Sequence, residues 1–214
     1  MKLGVFDSGI GGKAVARDLQ VNFPDADVLY VDDHEHVPYG TKTRDKIFEL
    51  TNAAIQPLLS AECDVIVLAC NTATAAAIES LRALYPEQKF IGLEPMVKTA
   101  SQLTKSGVVT ICATPYTLQS DRYTNLKSRF AQNTTIFEPD CSDWASMIEH
   151  NAIDDTKIEQ VVNQALQNDS DVIVLACTHY HWIKQRISEL AGSGVTVIDP
   201  SEAIVRRVKQ LLSL

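Results

Sequence analysis

Two cysteines at the ends of identical heptapeptides are the residues of this chain best placed to do chemistry. Asp64-Val65-Ile66-Val67-Leu68-Ala69-Cys70 recurs, letter for letter, as Asp171-Val172-Ile173-Val174-Leu175-Ala176-Cys177. The first copy continues into Asn71-Thr72 and the second into Thr178-His179. Each copy is a short β-branched and aliphatic run, the pattern of a buried strand. Each stops at a cysteine followed by hydroxyl, amide or imidazole side chains. A strand-to-helix junction of this kind offers free backbone N–H groups and a positive helix end, and both lower a thiol pKa. Cys63, Cys112 and Cys141 lack that context and read as small core hydrophobes.

A matched pair of thiols suits one reaction class well. Inverting a stereocentre needs a base on one side to remove a proton and an acid on the other to return one. One thiolate and one thiol exchange those roles with the direction of reaction, each within hydrogen-bond reach of the carbon. Such a site also needs carboxylates and an imidazole nearby to tune the thiols. Asp7 and His179, each close to a strand end, are the candidates. Two non-enzymatic readings use the same pair: a redox switch, or an amino-acid-binding module without turnover. Exchange of the α-proton separates them from a racemase.

Strands and helices must position these residues. Residues 3–6 read as a first strand, broken by Asp7-Ser8-Gly9-Ile10-Gly11-Gly12 ahead of a helix through residues 14–19. Residues 27–31 form a second strand that ends at Asp32-Asp33. The loop His34-Glu35-His36-Val37-Pro38-Tyr39-Gly40 follows. Helical spacing runs over residues 42–59, and a helix over 74–85 follows the first heptapeptide. Residues 89–93 and 107–112 are further strands, with a helix over about 117–130. A short strand at 134–137 and helices at 144–150 and 158–167 lead to the second heptapeptide. A helix at 182–190, a strand at 195–198 and a helix at 202–212 complete the chain. Alternating strands and helices predict an α/β fold of mainly parallel sheets flanked by helices. The cysteines lie 107 apart, and the same offset carries Asp7 onto Thr114, also just past a strand. Two pseudo-symmetric lobes are therefore expected, residues 1–93 and 94–200, with the active site in the cleft between them. The C-terminal helix, 201–214, is assigned to the first lobe.

Composition excludes several classes. The chain has 214 residues, 45% hydrophobic and 21% charged, which supports a sizeable core. A formal net charge of −8 with no dense basic cluster argues against nucleic acid. Apolar runs are of single-strand length, too short for a membrane span. The N-terminus meets Asp7 too early for a signal peptide. Five cysteines with no Cys-x-x-Cys pair argue for a reducing compartment, so a cytoplasmic location is expected.

Other motifs in the chain invite rival chemistry. Gly9-x-Gly11-x-x-Ala14 after a strand, with Asp32 ending the next, fits a dinucleotide fingerprint. Asp7 at the mouth of that loop would repel a pyrophosphate. The bland alternative is a glycine turn into a helix with Ser8 as its cap. His34-x-His36 and Cys177-x-His179-x-His181 invite a metal, yet no carboxylate completes a set, so no metal is expected. His34 and His36 read as solvated loop residues, and His150 has no assignable partner. Asp32-Asp33 could be paired acids, with a cap or a loop-ordering role preferred.

Taken in order, these motifs resemble the cofactor-independent glutamate racemases of the aspartate/glutamate racemase superfamily. The resemblance rests on Gly4 to Gly12, Val37-Pro38-Tyr39-Gly40, Ala69-Cys70-Asn71-Thr72-Ala73, Ala113-Thr114-Pro115 with Ser120 and Tyr123, Cys141 through Glu149, Ala176-Cys177-Thr178-His179-Tyr180, and Ile198-Asp199-Pro200-Ser201-Glu202-Ala203. It implies that Cys70 takes the proton from the D-enantiomer and Cys177 from the L-enantiomer. Asp7 would assist Cys70, His179 would assist Cys177, and Glu149 would be a further assisting carboxylate. Ser8, Tyr39, Gly40, Asn71, Thr72 and Thr178, with Asp7 and His179, would hold the amino acid. No cofactor is implied. D-Glutamate would feed peptidoglycan synthesis and so cell shape, and a homodimer is expected. An aspartate racemase or a related isomerase of the same superfamily is the nearest alternative. The chain departs from the family in its shorter length, in His181 where a proline is usual, and in Ser142, Asp143 and Ser146.

Overall fold

The computed structural model describes residues 1–213. The described residues form two compact units, Glu94–Pro200 and a unit made of Met1–Leu93 with the segment from Ser201.

In the first unit β1 (Lys2–Asp7), α1 (Gly12–Asn22), β2 (Asp27–Asp32), α2 (Arg44–Ala54), α3 (Gln56–Ser60), β3 (Val65–Leu68), α4 (Asn71–Leu84) and β4 (Phe90–Gly92) follow one another. Four parallel strands lie in the order β2-β1-β3-β4. The two middle strands are buried on both faces, which is why the heptapeptide is continuously apolar and not alternating. Side chains still alternate between the two faces of the sheet. Leu3, Val5, Val65 and Val67 pack with Val15 and Leu19 of α1 and with Ile204 and Val208 of the C-terminal helix (Ser201–Leu212). That packing places the C-terminal helix on the first sheet. Gly4 faces the other way; a Cβ there would meet Leu58 of α3 and Ile66 of β3 at 3.1 and 3.3 Å.

The second unit repeats the plan. It contains α5 (Val97–Leu103), β5 (Val108–Cys112), α6 (Pro115–Gln119), α7 (Asp121–Phe130), β6 (Thr135–Phe137), α8 (Trp144–Glu149), α9 (Asp155–Gln167), β7 (Val172–Leu175), α10 (Lys184–Ala191) and β8 (Thr196–Ile198). Its strands are also parallel, in the order β6-β5-β7-β8. Each sheet is flanked by helices, as the α/β pattern of the sequence requires.

The aspartate that opens each heptapeptide has a structural reason to be there. Asp64 Oδ2 accepts the backbone N–H of Lys2 at 2.8 Å, at the start of β1. Asp171 accepts from Lys105 N at 2.7 Å, Ser106 N at 3.0 Å and the Thr104 hydroxyl at 2.5 Å, in the loop that enters β5. In both units the same carboxylate ties the foot of one central strand to the foot of its neighbour.

Two helical expectations are corrected and one helix is added. The helix predicted over 42–59 is two helices joined at Ile55, because Pro57 has no N–H to donate to the carbonyl four residues earlier. The helix predicted over about 117–130 is also two. Ser120 between them adopts an extended backbone and its hydroxyl oxygen caps α7 by accepting from Tyr123 N at 3.2 Å. The second unit opens with α5, which lies in a stretch that carried no helix expectation. It buries only Val97 and Ala100, too short a stripe for a clear helical period.

Candidate active site

Cys70 and Cys177 occupy equivalent points, each two residues past the end of its central strand. Both thiols are buried, and neither is part of a disulfide. The equivalence of the neighbouring strands corrects the single offset of 107. Leu68 pairs with Phe6, and its counterpart Leu175 pairs with Cys112. Ala69 N donates to Phe6 O at 2.7 Å, and Ala176 N to Cys112 O at 2.8 Å. Ser8 therefore corresponds to Thr114, and Asp7 to Ala113, one residue from the expected match. The acid that stands beside the first thiol has no counterpart in the second unit.

The first thiol sits among groups that pull its proton equilibrium in opposite directions. Cys70 Sγ accepts the Ala73 N–H at the start of α4 at 3.3 Å. The Ser8 hydroxyl donates to the same sulfur at 3.3 Å. Burial, and then the nearby Asp7 carboxylate, push the thiol up to about 11, while Ser8 and the Ala73 and Thr72 N–H groups act against them. Asp7 is fully buried, and its Oδ1 accepts from Gly9 N at 2.8 Å. Gly12 makes room for it; a Cβ on Gly12 would fall 2.5 Å from the Asp7 Cβ.

These contacts decide two earlier readings. Ser8 is not the cap of α1: Gly11 holds that position without a side-chain bond, and the Ser8 hydroxyl is turned to the sulfur. The loop of the dinucleotide fingerprint already gives a backbone N–H to Asp7, the group a phosphate would have to displace.

Asn71 and Thr72 form the first turn of α4 and are both buried. The Asn71 carboxamide finds no partner for either its oxygen or its nitrogen. A buried amide without partners costs free energy unless a ligand or water completes it. Its donor and its acceptor are both available to a polar ligand.

Tyr39 and Gly40 lie in a single turn of 3-10 helix, Tyr39–Thr41. Tyr39 is buried and tilts against Phe6, whose ring centroid is 6.4 Å away. Its hydroxyl donates to Asp33 Oδ2 at 2.7 Å. Burial, reinforced by Asp33, raises its pKa above the ordinary phenol value. His36 Nδ1 lies 2.7 Å from the other carboxylate oxygen of Asp33. His36 is thus exposed, as a loop residue should be, but it is partnered. Asp33 stood outside the expected site residues; the signal for it was the pair Asp32-Asp33 just ahead of the Pro38-Tyr39-Gly40 run.

The second thiol has a different escort. Cys177 precedes a 3-10 turn, Thr178–Ile183, which buries Thr178, His179 and Tyr180. Cys177 Sγ lies 3.8 Å from His179 Nδ1. His179 Nε2 meets Glu149 Oε2 at the end of α8, and both side chains are buried. A thiol, an imidazole and a carboxylate thus stand in sequence, the arrangement in which the carboxylate orients the ring and the ring exchanges a proton with sulfur. The Tyr180 hydroxyl donates to Cys141 O at 2.9 Å, and the Tyr180 ring packs edge-on to Trp144 at 5.2 Å. These bonds hold the turn against α8. His150, without an expected partner, binds Ser146 O through Nδ1 at 2.8 Å.

Among the described residues no group of three or more His, Cys, Asp or Glu side chains is arranged to hold a metal ion. No helix among them is long and apolar enough to cross a membrane.

Known racemases are similar to this chain in sequence and in fold. A glutamate racemase of Pseudomonas paraeruginosa is 38% identical over 215 residues, covering 99% of this chain and 81% of the relative. The crystal structure of Escherichia coli glutamate racemase with L-glutamate and the activator UDP-MurNAc-Ala superposes with a TM-score of 0.89 at 27% identity, over 99% of this chain and 82% of that one. The Francisella tularensis enzyme, with D-glutamate, gives a TM-score of 0.82 at 30% identity, over 99% and 81%. The model of the family described as Asp/Glu/Hydantoin racemase matches residues 13–208. By that match and by full-length relatives above 30% identity, the chain belongs to the Asp/Glu/Hydantoin racemase family.

Proposed function

We propose that this amino-acid racemase interconverts L- and D-glutamate with Cys70 and Cys177 as its two acid–base groups. The observation that carries the reading is that each unit ends its central strand in a buried thiol with its own proton partners. Cys70 has Ser8 and Asp7. Cys177 has His179 and, behind it, Glu149. The substrate choice is supported by relatives named glutamate racemase at 35–38% identity along the whole chain.

In the proposed reaction Cys177, as thiolate, removes the α-proton of L-glutamate, and Cys70, as thiol, delivers a proton to the opposite face. The reverse direction exchanges the roles. Cys70 suits the resting acid, since its proton is held up to about 11. To act as a base it must be relieved of the Asp7 field. The α-ammonium of a bound amino acid beside Asp7 would supply that relief, because an opposite charge within about 4–6 Å favours the thiolate. Asn71, with an unpaired donor and acceptor, suits the ammonium and carboxylate of the substrate. Ser8, Thr72, Thr178, Tyr39 and Gly40 complete the proposed binding set. The resemblance further supports a supply of D-glutamate to peptidoglycan synthesis and a homodimer, which sedimentation equilibrium would test.

The decisive experiment incubates each enantiomer of glutamate with the protein in D2O. Circular dichroism should decay to zero while mass spectrometry shows one α-deuterium entering. A chain that leaves the α-hydrogen of both enantiomers unexchanged is not a glutamate racemase.

A further inference from the structure

The turn that carries Tyr39 and Gly40 is fastened by one acidic side chain that touches no proposed reacting group. Asp33 follows β2, and its N–H donates to Asp7 O at 3.2 Å, extending the β1–β2 ladder by one bond beyond the Asp7·Asp32 pair. That bond fixes the Asp33 backbone relative to the residue proposed to assist Cys70. Its side chain, 13% exposed, then reaches two residues of the loop. Oδ2 accepts the Tyr39 hydroxyl at 2.7 Å, and Oδ1 meets His36 Nδ1 at 2.7 Å. One carboxylate therefore holds the loop at both His36 and Tyr39.

We propose that Asp33 is the positioning residue of the substrate loop, holding Tyr39 and Gly40 in the geometry that receives the amino acid. The proposal rests on the glutamate racemase reading and adds a residue to it. Tyr39 is 2% exposed, so its hydroxyl must be paired within the protein. A carboxylate is the stronger partner, since a hydrogen bond to a charged acceptor is roughly twice as strong as a neutral one. Without Asp33 the phenol would seek another acceptor and the turn would lose its anchor. The loss falls on binding in both directions, because Tyr39 and Gly40 are proposed to hold the substrate and not to move its proton. Removing interactions common to ground and transition states raises KM and leaves kcat in place.

The test is steady-state kinetics of Asp33→Asn and Asp33→Ala with both enantiomers, read as separate kcat and KM values, with thermal melting as the control for folding. We expect KM to rise by about tenfold for L- and D-glutamate alike, with kcat within about threefold of the parent. In a Tyr39→Phe background, Asp33→Asn should add little, because the partner hydroxyl is already gone. Asp33→Asn keeps the shape of the side chain and carries the test if Asp33→Ala unfolds. Unchanged KM, a fall confined to kcat, or an equal cost of Asp33→Asn with and without the Tyr39 hydroxyl would each overturn the proposal. A parent chain that exchanges no α-proton overturns the racemase reading itself, a result distinct from all three.

Discussion

Ser8 donates its hydroxyl to the sulfur of Cys70 at 3.3 Å, across 62 residues of chain. This bond favours the thiolate, while burial and Asp7 favour the thiol, and the balance lies at about 11. Ser8→Ala removes one of the groups acting downward, so the thiol should titrate higher still. Asp7→Asn removes a like charge, so it should titrate lower than in the parent. Thiolate absorbance followed against pH reads both shifts. Asp7→Asn should nonetheless lose racemisation, because easing ionisation does not replace the carboxylate proposed to face the substrate ammonium.

Either thiol alone should be insufficient. Cys70→Ser and Cys177→Ser replace a proposed acid–base group by a much weaker one, and such groups contribute about 10²–10⁴-fold. Racemisation should fall by that order in each variant, measured by circular dichroism. Near-normal turnover in either would reassign that thiol to packing.

Glu149→Gln should remove the carboxylate charge that holds the His179 ring, the group proposed to assist Cys177. The equilibrium constant of a racemisation is one, so kcat/KM must fall equally in the two directions whatever the step affected. We expect a fall of at least about tenfold, within the range for acid–base groups. Loss in one direction alone would violate the equilibrium and would point to an assay artefact. An unchanged kcat/KM would detach Glu149 from the His179 relay.

Asp171 gives the fold a measurable acid sensitivity. Burial would raise its pKa, but the Thr104 hydroxyl, the Lys105 and Ser106 N–H groups and the Ser106 hydroxyl hold it at about 2, below the ordinary 3.8. A depressed carboxylate stabilises the folded chain above the unfolded value and loses that contribution as pH falls towards the folded one. Stability should therefore decline between about pH 4 and pH 2, and Asp171→Asn should flatten part of that decline. The same substitution should cost about 1–3 kcal/mol in denaturant unfolding at neutral pH, with KM unchanged. Asp64, with a bond to Lys2 N at 2.8 Å, is the first unit's version of the same tie.

The alkaline side has the opposite sign. Cys70 is raised from 9.0 to about 11, so the folded chain keeps a proton that the unfolded chain releases. Its contribution is present below about pH 9 and is lost as pH rises towards 11. Tyr39 and Tyr123, both raised by burial, act in the same direction above the ordinary phenol range. Denaturant midpoints should therefore drop between about pH 9 and pH 11, and the thiol's share should vanish in Cys70→Ala.

Much of this protein was legible in its residues alone. Identical runs of β-branched residues ending in Cys70 and Cys177 read as buried strands, because one hydrophobic face would have produced alternation, and the strand–helix alternation around them pointed to parallel sheets. Asp7 and His179 stood out as candidates because strand ends collect chemistry in open α/β sheets. What needed tertiary structure was every relation that local spacing does not encode. Phe6 aligns with Cys112 and not with Ala113, because ladder register is set between strands, and a shift of one residue turns a side chain to the other face. The Ser8 hydroxyl had a local role available as a helix cap and a distant one on Cys70; packing of β1 beside β3 decided for the sulfur. Glu149 reaches His179 across 30 residues, since α8 and the turn after β7 are pressed together by Trp144 and Tyr180. Hydrophobic period acts within a strand or helix and is visible in one dimension. The Ser8 contact to Cys70 and the Glu149 contact to His179 join different elements, and only the folded chain brings those groups within bonding distance.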